Sequence, residues 1–388
     1  MSASSGPAEV GEALVKVRRE IHAHPELARA EFRTTGLVAD ALARAGLTPA
    51  VLPGGVGLVC DIGEQPPTVA LRADLDALPI PDTKDVSYRS TVDGVAHACG
   101  HDVHTTVVLG AGLALAGVAA RGGLPHGVRL VFQPAEEVIP GGALDVIRAG
   151  GIDGVRRIYA VHCDPGTDVG TVALRSGPIT AASDLLEVRL SGPGGHTARP
   201  HLTVDLVAAL GTLLSATPGL LARRADPRSG TTLTWGQVDA GTVANVIPRS
   251  GAARGTVRTL SRQTWDVLPP LVEEVIRDVL APYKVAAEVA YVRGVPPVVN
   301  DAGCVKRLAS AANDISGVVV GETAQSLGGE DFAWYLDRVP GALARLGVRT
   351  PESPALYDLH QSSFDVDERC IDVGVSLLAG VALAPGDG

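Results

Sequence analysis

Residues 183–215 read SDLLEVRLSGPGGHTARPHLTVDLVAALGTLLS, and a new pattern of secondary structure begins with them. A strand is expected over Leu185–Leu190, then a glycine-rich turn, then a helix over Val204–Ser215 carried by apolar residues at helical spacing. Working outward, strands follow at Thr231–Val238 and Ala252–Thr259, a helix at Trp265–Leu280 and a strand at Ala287–Val292. That β-α-β-β-α-β order is the signature of a ferredoxin-like α+β domain. Pro296 and Pro297 mark the exit, so residues 183–293 are expected to form one inserted domain of ordinary size.

The flanks read differently. Apolar residues Leu14, Val17 and Ile21 keep helical spacing until Pro25, and the pattern resumes through Val38 and Leu42 to Gly46. Short apolar runs follow at Val56–Ile62, Thr68–Leu71, Val128–Phe132 and Ile158–Val161, alternating with helical segments at Thr105–Ala120 and Ala143–Ala149. Nearly continuous apolar strands alternating with helices predict an α/β domain with a mostly parallel, helix-covered sheet, built from residues 1–182 and 294–388. Ligands in such sheets sit beyond the carboxyl ends of the strands.

Composition narrows the function. The 388 residues carry 33 Lys and Arg against 43 Asp and Glu, a net charge of −10, with no basic run. Nucleic acid is therefore not an expected partner. The five cysteines, Cys60, Cys99, Cys163, Cys304 and Cys370, are odd in number and scattered, which reads as reduced thiols. The opening MSASSGPAEVGEALVKVRRE has no signal-peptide core. The longest uncharged apolar run, Val107–Ala120, is broken by glycines and shorter than the ~20 residues of a span, so no membrane role is expected. A cytoplasmic protein is the expectation.

Four clusters carry chemistry, each at or near the end of a predicted element. They are HACGHDVH at 97–104, QPAEE at 133–137, His162 after a strand, and His360 in DLHQS at 358–362. Thiolate, imidazole and carboxylate are ordinary ligands of zinc and its neighbours. Cys99, His101, Glu137, His162 and His360 are too many for one open catalytic ion and suit two ions roughly 3.5–4 Å apart. Glu136 is left free to act as general base and acid. A rival reading makes Cys99 a nucleophile with His101 as its base; Gly100 between them favours a loop and ligation.

The chain resembles the M20 metallopeptidase family, in particular the amidohydrolase branch of hippurate, auxin-conjugate and N-acyl-amino-acid hydrolases. The resemblance spans nearly the whole chain and rests on RREIHAHPELARAE (18–31), LRADLDALPI (71–80), HACGHDVH (97–104), FQPAEE (132–137), VHCDP (161–165), GPGGHTARPH (192–201), ANVIPRSG (244–251), GTVRT (255–259), GGEDFA (328–333) and LHQSSFDVDE (359–368). It implies the same five ligands and Glu136 as catalytic base. It also implies a catalytic domain with an inserted lid, and a homodimer formed through that lid. In the insert, His196 would stabilise the oxyanion, while Asn245 and Arg258 would bind the substrate carboxylate. Asp74 would orient a ligand by hydrogen bond. His97 and His104 flank the metal motif, and His22 and His24 are expected to be structural. The late motif departs from the family's usual form, with Gln361 and Ser362 after His360, and Cys163 follows His162 where relatives commonly lack a thiol.

The expected activity is hydrolysis of the amide of a small N-acyl amino acid, with two divalent ions per subunit: zinc or manganese, with cobalt or nickel possible. A dipeptidase or carboxypeptidase of the same superfamily is the nearest rival. A catalytically silent binding protein on the same fold is the rival from another class.

Overall fold

The computed structural model describes residues 7–353 and 357–385. The parts of the expected outer domain that fall on residues 1–6, 354–356 and 386–388 lie outside them. The chain divides into two compact units.

The first unit comprises the described residues of 7–177, 299–324 and 331–385. Its eight-stranded sheet runs, edge to edge, Ala50–Val51, Leu58–Ile62, Gly127–Gln133, Pro67–Asp74, Arg157–Asp168, Gly341–Arg349, Thr171–Leu174 and Val319–Glu322. The four central strands are parallel. Gly341–Arg349 is buried along all but its last residue, as a central parallel strand covered on both faces must be. In register, Asp74 lies opposite Gln133, so two neighbouring strands deliver their carboxyl ends to one place.

The helix His101–Ala119 is longer than the sequence reading of 105–120 at its start, which puts His101 and His104 on its first turn. It is apolar nearly all round, and residues 101–112 and Leu115 are buried, the mark of a core helix. A Cβ on Gly112 would come within 2.3 Å of Leu130, so glycine is what lets this helix lie directly on the sheet. His101–Ala119 and Leu206–Arg224 are both long and apolar enough to cross a membrane by length and composition alone. The strand carrying His162 also runs further than its apolar start suggested, to Asp168, because pairing with Gly341–Arg349 continues past the Cys-Asp-Pro-Gly sequence.

The second unit comprises Pro178–Val298 with Gln325–Glu330, wider than 183–293 at both ends and with a short return segment. Its four-stranded antiparallel sheet has the order Thr232–Ala240, Ser250–Thr259, Ala182–Ser191, Ala286–Val295, which is the ferredoxin-like arrangement. Burial alternates along Ala182–Ser191, with Leu186, Val188 and Leu190 inward and Leu185 and Arg189 outward. Helices Leu206–Arg224 and Arg262–Leu280 supply the apolar cover, started by the capping side chains of Asp205 and Ser261.

Candidate metal and catalytic site

Backbone conformation shapes the site before any side chain does. Gly100 takes φ +84° just ahead of the helix at His101, and a Cβ there would meet Cys163 Sγ at 2.6 Å. The close turn aims Cys99 and His101 at the ends of the central strands. Two non-glycine residues beside the site also hold positive φ: Ala135 at 57° and His360 at 62°. Each costs of the order of 1 kcal/mol or more, so the surroundings must hold them in place. His360 is anchored through its amide, which donates to Ala98 O at 2.7 Å.

The side chains converge. Donor atoms of Cys99, Glu137 and His360 lie within 4.8 Å of one another, and so do those of His101, Glu136 and Glu137. Glu137 belongs to both groups. Cys99 Sγ is 3.7 Å from His162 Nε2, and Glu137 Oε1 is 3.2 Å from His360 Nε2. His162 donates Nδ1–H to Cys163 O at 2.8 Å, which leaves Nε2 as the ring's lone-pair nitrogen facing the thiol.

His101 shows what the cluster lacks. Its ring is buried, yet neither nitrogen makes a well-aligned hydrogen bond. Around Nε2 stand oxygens of Asp74, Glu136 and Glu137 at 3.8, 3.9 and 3.9 Å, too far for hydrogen bonds. Burial opposes charge on this imidazole, but Asp74, Asp76 and Glu137 outweigh it and push its pKa up to about 10. Burial, aided by Glu137 and Glu136, raises the Cys99 thiol well above its ordinary value. Burial, aided by Arg345 and His104, drives His162 well below its own. The hydrogen bond to Glu137 raises His360. Carboxylates, a thiol and imidazoles gathered this closely are a donor set for cations, and the residues fit two divalent ions on chemical grounds.

Supporting contacts differ from the sequence reading in one respect. Asp74 turns to His104 Nδ1 at 2.7 Å and to Arg72 Nη1 at 2.8 Å, and stays 3.8 Å from His101. His104 in turn accepts the amide of Cys163 at 2.9 Å, tying the helix to the strand that carries His162. Asp76, which sequence reasoning missed, lies 3.4 Å from His101 Nδ1. Arg72, Gln133 and Asp331 form a closed buried network beside the Glu pair, and the Asp331 amide approaches Glu136 Oε1 at 3.4 Å. His22 is buried and donates to Asp102 at 2.7 Å, beside the Arg18–Asp102 pair, a structural tether for the metal-motif helix. His97 is buried with neither ring nitrogen hydrogen-bonded, and burial lowers its pKa to about 3, so it stays neutral.

The candidates of the second unit, His196, Asn245 and Arg258, are exposed or partly exposed within it. His196 and Asn245 are exposed; His196 pairs with Val246 in a two-stranded ribbon, and Asn245 immediately precedes that ribbon's second strand. The amide of Ala198 donates to His196 Nδ1 at 3.1 Å, which leaves Nε2 carrying the proton in the neutral ring. Arg258 is partly exposed, and its Nη1 donates to Leu327 O.

The family model for peptidase family M20/M25/M40 matches residues 70–384. A putative glutamate–cysteine ligase 2-3 of Rhodococcus jostii is 52% identical over 95% of this chain, which spans only 46% of that protein's length. The N-acetyl-L-cysteine deacetylase of Bacillus subtilis is 36% identical, covering 92% of this chain and 84% of its own. Among solved structures, a dinuclear metal binding peptidase of the M20 family from Bacillus subtilis superposes with a TM-score of 0.84 at 32% identity, covering 97% of this chain and 98% of its own.

Proposed function

The chain belongs to peptidase family M20/M25/M40, in its amidohydrolase branch, and from that premise we propose that it hydrolyses the amide bond of small N-acyl amino acids. The observation that carries the reading is the buried His101 ring, without a well-aligned hydrogen bond and with three carboxylates around its Nε2, next to the Cys99, Glu137, His162 and His360 donors. In this reading Cys99, His101, Glu137, His162 and His360 hold two divalent cations, zinc or manganese being suited to so mixed a donor set. Such a pair lowers the pKa of water toward neutrality and polarises the amide carbonyl.

The chain's own residues do the rest. Glu136, one tenth exposed, takes the proton of the attacking water and passes it to the leaving nitrogen. The Nε2–H of His196 is the donor offered to the developing oxyanion. The guanidinium of Arg258 and the amide of Asn245 are the groups for the substrate carboxylate, a planar anion that arginine binds by paired hydrogen bonds. Asp74 acts one step back, fixing His104 and through it the backbone beside His162. The second unit serves as lid and dimer contact of a cytoplasmic enzyme whose partner is a small molecule.

Substituting Glu136→Gln tests the reading. On metal-loaded protein and a panel of N-acetyl amino acids, kcat should fall by about 10²–10⁴-fold with metal content unchanged. Near-normal turnover would remove Glu136 from the reaction. Cleavage of free dipeptides with no action on the acetylated panel would move the protein to the peptidase side of the family.

A further inference from the structure

Glu136 and Glu137 are neighbours in sequence, yet both carboxylates stand 3.9 Å from the same nitrogen, His101 Nε2. Side chains of consecutive residues in an extended strand point to opposite faces, so this convergence requires the backbone to turn. The turn is made at Ala135, with its positive φ of 57°. Three successive amides are exposed by it, and each ends on a carboxylate oxygen. Ala135 N donates to Glu31 Oε1 at 2.7 Å, Glu136 N to Asp76 Oδ1 at 2.9 Å, and Glu137 N to Asp76 Oδ2 at 2.9 Å. Both accepting side chains are buried, Glu31 at 0% and Asp76 at 1% exposure.

We propose that Asp76 is the positioning residue of this site: one carboxylate, shared between two adjacent backbone amides, sets the directions in which Glu136 and Glu137 leave the chain. The proposal rests on the reading of Glu136 as base and Glu137 as ligand given above. Its geometry is two-sided. Each oxygen of Asp76 takes one amide, and Oδ1 also lies 3.4 Å from His101 Nδ1, on the side of the ring away from the three carboxylates. One residue thus ties the turn that carries the Glu pair to the imidazole that faces it. Other side chains do not substitute easily. Asparagine offers one oxygen, and its amino group would oppose an amide N–H. Alanine leaves both amides without a partner in a buried place. Asp76 touches neither substrate nor reacting atoms, and acts through Glu136, Glu137 and His101.

Asp76→Asn separates this role from mere support of the fold. With cations saturating, kcat should drop about 10–100-fold while KM stays within about threefold, since the base is displaced and the substrate-binding groups are not. In the metal-free proteins, hydrogen exchange read by mass spectrometry over residues 131–142 should be slow at the Glu136 and Glu137 amides of the unaltered chain, and at least about tenfold faster in the variant. Unchanged kcat, or KM rising in step with any loss, overturns the proposal. So does rapid exchange of these two amides in the unaltered protein, a measurement that decides the matter even if the variant does not fold. Should the unaltered protein hydrolyse no amide in the panel, the functional reading fails, and the exchange experiment still decides whether Asp76 holds the turn.

Discussion

Each unit buries a polar centre that can be set against the other's, and these two are opposites. In the second unit Asp184 is fully buried and fully answered: Trp265 Nε1 donates to it at 3.0 Å, Tyr291 OH at 2.6 Å and the amide of Gly294 at 2.8 Å. Burial and that carboxylate keep the Tyr291 hydroxyl protonated far above its ordinary range. Arg293 closes the arrangement by lying over the Trp265 ring at 4.1 Å. In the first unit His101 is as deeply buried and has no well-aligned hydrogen bond: Asp76 approaches its Nδ1 at 3.4 Å, and oxygens of Asp74, Glu136 and Glu137 stand at 3.8, 3.9 and 3.9 Å from Nε2. A satisfied buried charge is architecture. A buried ring whose nitrogens lack a well-aligned partner is a place where something else completes the coordination, because leaving such a group unpaired costs about 1–3 kcal/mol.

The contrast is broken most directly at His101. Adding a divalent cation to the metal-free protein should stabilise it by about 4 kcal/mol at a thousandfold excess over Kd, read as a concentration-dependent rise in Tm. In His101→Ala that rise should vanish and hydrolysis should fall to background. A variant that still gains stability from the cation would show that this ring is not part of the cation's coordination, and the two buried centres would then differ in degree rather than kind.

Asp184→Ala should do the reverse. With three donors left facing a small apolar side chain, the second unit should lose about 3 kcal/mol, seen as a lower denaturation midpoint, while the cation-induced rise in Tm is preserved. Loss of the cation response in this variant would mean that the two centres are energetically one, contrary to the comparison.

The difference between the centres also explains what sequence could and could not reveal. Residue type announced the ligand candidates, since Cys99, His101, Glu137, His162 and His360 are of the thiol, imidazole and carboxylate types that suit such cations, and strand and helix periods placed them near element ends. The β-α-β-β-α-β pattern from residue 183 was legible because alternation along strands such as Ala182–Ser191 reflects one covered face. Asp76 was not legible: its partners lie some sixty positions away, at Glu136 and Glu137, and are backbone amides that carry no residue signal. The positive φ of Ala135 was hidden for a related reason, since alanine advertises no such turn and tertiary hydrogen bonds impose it. The strand around His162 was read short because Asp164-Pro165-Gly166 looks like a turn, whereas pairing across the sheet carries it on. Asp184 gave no sign that its three donors would gather from Trp265, Tyr291 and Gly294.

Glu31 offers the smallest and sharpest test, because it is half answered. Its Oε1 accepts the Ala135 amide, while Oε2 is buried without a partner. Burial, aided by Asp76 and only partly opposed by backbone donors, pushes its pKa up to about 7. The folded state therefore favours the protonated acid more than the unfolded chain does. Stability from this group is fully present below about pH 4.5 and declines as pH rises, the loss being complete above about pH 7. Glu31→Gln keeps an oxygen for Ala135 and removes the charge. It should be nearly neutral at pH 4.5 and more stable than the unaltered protein by about 1–2 kcal/mol at pH 8, where the buried carboxylate would otherwise be charged. Denaturation midpoints at the two pH values check the sign. A variant less stable at pH 8 than at pH 4.5, relative to the unaltered chain, would place Glu31 among the answered charges, beside Asp184, and the carboxylate would then be holding the Ala135 turn as an ion.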